Sequence, residues 1–131
     1  MKAFFIAAAL FLTISHTQAQ DTSKKVYTKV YIESLYPGGT AGWNAFLGKN
    51  FHYPDDAVNN EIQGDVVVQF EVDEQGNVSN IQAVKGPTKG GLREEAVRVI
   101  KASGQWRPAL QNGVAVKSVK KQTLSFRLSK G

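Results

Sequence analysis

The chain has 131 residues, 42% of them apolar, no cysteine, and a formal net charge of +5 from 16 Lys and Arg against 11 Asp and Glu. Without cysteine there are neither disulfides nor thiolate metal sites, so stability must come from packing alone. The cationic excess is mild and spread along the chain, with small clusters only at its two ends, which does not single out a nucleic-acid binder.

Residues 1–19 read as a secretory signal. Lys2 is a one-charge n-region, AFFIAAALFLTI is the apolar h-region, and HTQA offers small residues at Thr17 and Ala19 for cleavage before Gln20. The apolar run is too short for a bilayer, which needs roughly 20 residues, and neither a stop-transfer segment nor a lipid-bearing cysteine follows. The expected product is an exported, soluble chain of about 112 residues, enough for one domain with a real core. With Lys2 removed, 15 cations and 11 carboxylates leave it at +4, and export argues against nucleic acid as a partner.

Residues 20–35 read as an N-terminal extension in which KKVYTKVYIE, Lys24 to Glu33, is rich in β-branched and aromatic residues and is expected as a strand. YPGG breaks it. In TAGWNAFLGKN, Trp43, Phe46 and Leu47 fall at i, i+3 and i+4, one face of a short helix with Thr40 as its N-cap. YPDDAVNNEI places Pro54 at a first helical position ahead of acidic residues that suit the helix dipole. In IQGDVVVQFEVDEQGNV, Val66, Val68, Phe70 and Val72 share one parity and Val67, Gln69, Glu71 and Asp73 the other, the period of a half-buried strand. DEQGN is then a hairpin loop with Gly76 supplying a positive φ, and VSNIQAVK is the returning strand. LREEAVRVIKASG is an amphipathic helix, with Glu94 and Arg98 as an i, i+4 pair and Gly104 as its stop. Asn112-Gly113 marks a tight turn between QWRPAL and VAVKSV. The chain closes on a strand that puts Leu124, Phe126 and Leu128 on one face and Thr123, Ser125 and Arg127 on the other.

Little here suggests chemistry. The four carboxylates Asp65, Glu71, Asp73 and Glu74 divide between a polar strand face and a solvated turn, whereas catalytic pairs need a cleft that drives their pKa values apart. With His16 in the signal, His52 is the one histidine of the exported chain, so metal sites built from His and Cys are close to excluded. A hydrolase would have to use His52 with Asp55 or Asp56, and no serine sits at a G-x-S-x-G elbow. GPTKGG lacks the spacing of a phosphate loop and reads as a strand-to-helix connection. Trp43 and Trp106 read as core residues. Lys117, Lys120, Lys121 and Arg127 on or beside the last strand admit two uses: to blunt an exposed edge against aggregation, or to attract acidic partners.

Taken in order, YPDDAVNNEIQGDVVVQFEVDEQGNVSNIQAVK, REEAVRVIK, WRPA and the closing strand resemble the C-terminal domain of TonB energy transducers. The features that match are Tyr53-Pro54, Ile62 and Gly64 before an alternating strand, the VDEQGNV hairpin, and an aromatic-x-Pro after the helix; LYPGGTAGWNAFL is similar to a segment found in a subset of that family. The resemblance runs from about Tyr36 to Leu128, giving a domain at 36–131. It implies an α+β fold, with two helices on one face of a small antiparallel sheet of three or four strands. It also implies a periplasmic, non-enzymatic module without cofactors that binds a short segment of a TonB-dependent outer-membrane receptor by β-strand addition. The implied pairing strand is Val119 to Arg127, with Lys121 beside it and Thr123, Ser125 and Arg127 on its more polar face. Tyr53 and Pro54 match the segment that approaches the receptor, and His52 stands where a glutamine is often found.

An energy transducer also carries an inner-membrane anchor and a proline-rich spacer. Only about 16 residues, none of them proline, lie between the expected cleavage site and Tyr36, and at roughly 3.3–3.6 Å each they reach at most about 60 Å. The expectation is a free-standing TonB-like module, an accessory or competitor of the full transducer. The alternative is a self-associating structural or accessory protein, in which the same edge pairs with its twin to give a homodimer.

Overall fold

A computed structural model describes residues 29–129, and the elements described below begin at Tyr31. The expected signal, residues 20–28 of the extension and the two C-terminal residues lie outside the described residues. The elements run β1 (Tyr31–Ile32), α1 (Gly39–Asn50), α2 (Asp55–Asn59), β2 (Gly64–Val72), β3 (Val78–Lys85), α3 (Leu92–Ala102), β4 (Ala109–Gln111), β5 (Val114–Val116) and β6 (Ser118–Phe126). The class is α+β, as the pattern of strands and helices implies.

The main sheet is antiparallel, in the order β3-β2-β6. Its register follows from β2, where Val66, Val68, Phe70 and Val72 are fully buried while Val67, Gln69 and Glu71 are half-exposed. Each buried side chain is worth about 1.5–3 kcal/mol, and a one-residue slip would turn all four to water. Leu124 and Phe126 of β6 extend that face. The face is covered by α3, through Leu92, Ala96, Val99 and Ile100, and by Trp43 of α1. Trp106 closes the end of the core, its Nε1–H donating to Ser103 Oγ at 2.8 Å while that hydroxyl donates to the Ile100 carbonyl at 2.6 Å.

The structure differs from the sequence reading at several points. A second small sheet, β1-β4-β5, accompanies the first. Of the expected strand Lys24 to Glu33, Tyr31 and Ile32 are paired, opposite Gln111 and Leu110 of β4. The β4–β5 hairpin turns on Asn112 and Gly113, both at positive φ (51° and 84°) as a type I′ turn requires. The first helix starts at Gly39 behind Gly38 instead of being capped by Thr40, and Pro54 is the N-cap of α2, one residue before its first helical position. Arg98 pairs with Glu95 at 2.7 Å instead of with Glu94. The reason is burial: Glu95 is 7% exposed and its carboxylate needs charged donors, while Glu94 is in water.

Candidate functional site

Two edges of the main sheet are available for a further strand, and they differ. The register of β3 against β2 shifts twice, and Asn80 sits at φ 50° in the irregularity. Its end is occupied by Arg93, whose Nε and Nη2 donate to the Gly86 carbonyl at 3.0 and 2.7 Å. Bulges and side-chain plugs of this kind obstruct edge pairing. By contrast, β6 pairs with β2 over nine consecutive residues, from Gly64↔Phe126 to Val72↔Ser118, without a shift. Among the described residues no strand lies on its other side.

On the outer face of β6, Val119 (62% exposed), Lys121, Thr123 and Ser125 project to solvent. Asp65 ties down the end of the strand, accepting from Ser125 Oγ at 2.8 Å and from Arg127 Nη2 at 2.9 Å, and Lys117 reaches Glu71 at 3.1 Å. The Lys117 contact also holds the Glu71 carboxyl below its usual range. Exposed pairs like Asp65 and Arg127 contribute little, and we expect Arg127→Ala to shift the urea unfolding midpoint by no more than about 0.5 kcal/mol equivalent.

On the inner side, β6 and α1 leave a groove of about 470 Å³ lined by Trp43, Leu47, Gly48 and Phe51 against Gln122 to Ser125. A smaller hollow of about 160 Å³ adjoins it, bounded by Tyr36, Trp43, Trp106, Lys120 and Gln122. Trp43 and Gln122 belong to both. Trp43 is thus both core and groove wall, and Phe51, Leu47 and Gly48 are the residues that sequence reasoning missed. A signal existed at Gly48, because glycine in a helix interior costs about 1 kcal/mol against alanine.

The segment 51–54 is built in from several sides. The ring of Phe51 lies 5.0 Å from Phe126, and that of Tyr53 lies 5.6 Å from it. The Tyr53 hydroxyl donates to the Ile62 carbonyl at 2.5 Å. Burial pushes the Tyr53 phenol up, with Arg127 pulling the other way. Pro54 begins α2, and the exposed His52 is held through its backbone N–H, which donates to Glu95 Oε2 at 2.8 Å. The structure therefore places Tyr53 against the inner face of β6, and it is Phe51, one residue before His52, that reaches the groove. Among the described residues no group of three or more His, Cys, Asp or Glu could hold a metal ion.

An α+β domain with one obstructed edge and one regular, unoccupied edge is the class that the fold defines. The family model for the Gram-negative bacterial TonB protein C-terminal domain matches residues 49–128, and the chain belongs to that family. Its fold is similar to the NMR solution structure of the Helicobacter pylori TonB C-terminal domain, at a TM-score of 0.55 and 22% identity over 73% of this chain and 91% of that one. No curated protein matches the sequence. In TonB this periplasmic domain takes part in TonB-dependent transport. No helix among the described residues is long and apolar enough to cross a membrane.

Proposed function

We propose that this domain is exported to the periplasm through residues 1–19 and there binds a short extended segment of a TonB-dependent outer-membrane receptor. The segment adds to β6 as a fourth strand, and no catalysis is involved. The observation that carries this reading is the nine-residue edge of β6, in unbroken register with β2 and without a further strand among the described residues. Tyr53 supports that edge from behind, through Phe51 and Phe126, and His52 and Pro54, which flank Tyr53, are the positions nearest the docked segment in this reading.

Strand addition takes its affinity from main-chain hydrogen bonds. For a segment of about six residues these give roughly 3–9 kcal/mol, against roughly 6–12 kcal/mol for ordering its backbone. Main-chain pairing alone is therefore weak, which suits a transient coupling contact.

The test is an NMR titration of the isotope-labelled protein, isolated from the periplasm, with peptides from the periplasmic N-termini of such receptors. Amide shifts should concentrate in Val119 to Arg127 and around Phe51 to Pro54. A protein that stays dimeric on dilution and shows no shift at millimolar peptide would sink the receptor-binding reading, with the edge taken by a second copy.

A further inference from the structure

The inner side of β6 is not uniform. In an antiparallel pair, residues opposite one another share a face, so the pairs Val66↔Leu124 and Phe70↔Lys120 put Leu124 and Lys120 on the same, helix-covered side of the strand. The groove beside Leu124 has apolar walls from Trp43, Leu47 and Phe51. At the other end of the trough, Lys120 lies beside Tyr36, Trp43 and Trp106.

Two further observations point to an occupant. Gly48 lines the wide end, and a Cβ there would meet nothing within 4 Å, so the chain leaves open a space that almost any other helix residue would narrow. The cations on and beside this strand also divide. Lys117 and Arg127, which flank it, are matched by Glu71 and Asp65, whereas among the described residues no carboxylate forms an ion pair with Lys120 or Lys121, and of these two Lys120 is the half-buried one that lines the trough.

We infer that this trough reads the side chains of the docked segment: an apolar residue enters the wide end over Leu47 and Phe51, and a carboxylate four positions away along the segment meets Lys120. The inference rests on the strand-addition reading and adds to it the chemical pattern of the partner. The separation follows from the strand. Leu124 and Lys120 are four residues apart, about 13 Å at 3.3 Å per residue, and an added strand has the same repeat. The pattern holds for either direction of the segment, as apolar-x-x-x-acidic if it runs antiparallel to β6 and acidic-x-x-x-apolar if parallel. Lys120 is half-buried beside aromatic rings, so a carboxylate there is less screened than one at a fully exposed lysine.

The experiment is a titration of the periplasmically isolated protein with extended peptides in both orders, read by amide shifts. Each peptide is compared with versions in which the apolar residue is serine, the acidic residue is glutamine, or the two stand only two apart. Removing the apolar residue should weaken binding roughly tenfold, and removing the acid roughly threefold. Gly48→Leu should fill the wide end and abolish the preference for an apolar residue while leaving the thermal midpoint no lower, since leucine is the better helix former. Lys120→Glu should transfer the preference from a glutamate to a lysine at that position. Equal shifts in β6 for every peptide, unaffected by Gly48→Leu, would overturn the trough and leave strand addition standing. No shift in β6 with any peptide would overturn both.

Discussion

Gly76→Ala is expected to destabilise the domain by about 3 kcal/mol, lowering its thermal midpoint by roughly 10–20 °C. Gly76 sits at φ 89° in the β2–β3 hairpin, a conformation that costs an alanine about 1–2 kcal/mol. The larger part is steric. A Cβ there would stand 2.0 Å from the Trp106 carbonyl oxygen, which is backbone and cannot swing aside. The Trp106 N–H also donates to the Gly76 carbonyl at 3.0 Å, so moving the turn away breaks that bond. The hairpin has little freedom to re-form elsewhere, because the Asp73 carboxylate accepts the Asn77 and Gln75 N–H groups at 2.8 and 2.9 Å, bonds that hold its pKa below the usual value. Gly113→Ala is the control. Its φ of 84° is nearly the same, yet nothing lies within 4 Å of its Cβ position, so only the conformational cost of about 1–2 kcal/mol is expected. Thermal unfolding of the two variants separates the contributions, and equal losses would mean that the hairpin does not dock on the Trp106 backbone.

The same hairpin shows what a sequence can and cannot reveal. The alternation of Val66 to Val72, the turn at Asp73 to Asn77 and the helix from Leu92 are local patterns, readable because each lies within a dozen residues, and all three are present. The family and the class of fold were legible from their order. That the turn's glycine is pressed against the backbone of residue 106 was not, since no local pattern encodes a contact 30 positions away. The site divides in the same way. The last strand was recognisable as an edge from its alternation and lysines, but the groove beside it depends on where α1 lies across the sheet. The pairing of β1 with β4 was hidden because two residues carry too little pattern to choose a partner. The ion pair expected between Glu94 and Arg98 failed for a related reason: helical spacing permits both i+3 and i+4, and the choice was made by a loop more than 40 residues earlier in the chain.

That loop gives the last large effect: Glu95→Gln is expected to cost about 2 kcal/mol at neutral pH and to weaken peptide binding as well. Glu95 accepts from Arg98 Nε and Nη2, both at 2.7 Å, and from the His52 N–H at 2.8 Å, while Arg98 Nη2 also donates to the Asn50 carbonyl at 2.6 Å. One carboxylate thereby fixes the backbone on both sides of Phe51, the residue that connects this segment to the groove. Burial alone would raise the Glu95 pKa, but the Arg98 and His52 hydrogen bonds and charges outweigh it and hold the folded value below 4.5. Stability therefore depends on pH with a definite sign. Above about 4.5 the group is ionised in both states and its stabilisation is fully present; as pH falls the unfolded state takes up the proton first, and the stabilisation is lost through the folded pKa. The Asp73 and Glu71 carboxyls are also depressed, and they titrate alike in both proteins, so they cancel in the difference between wild type and variant. Urea unfolding of both proteins should thus show the full difference at pH 7 and a smaller one at pH 3. A difference that persists unchanged at pH 3 would mean that the introduced amide disturbs packing, with the charge playing no part. A variant as stable as wild type at pH 7 would show that the loop is held by Phe51 and Tyr53 against Phe126 alone, and binding to β6 should then be unaffected by the substitution.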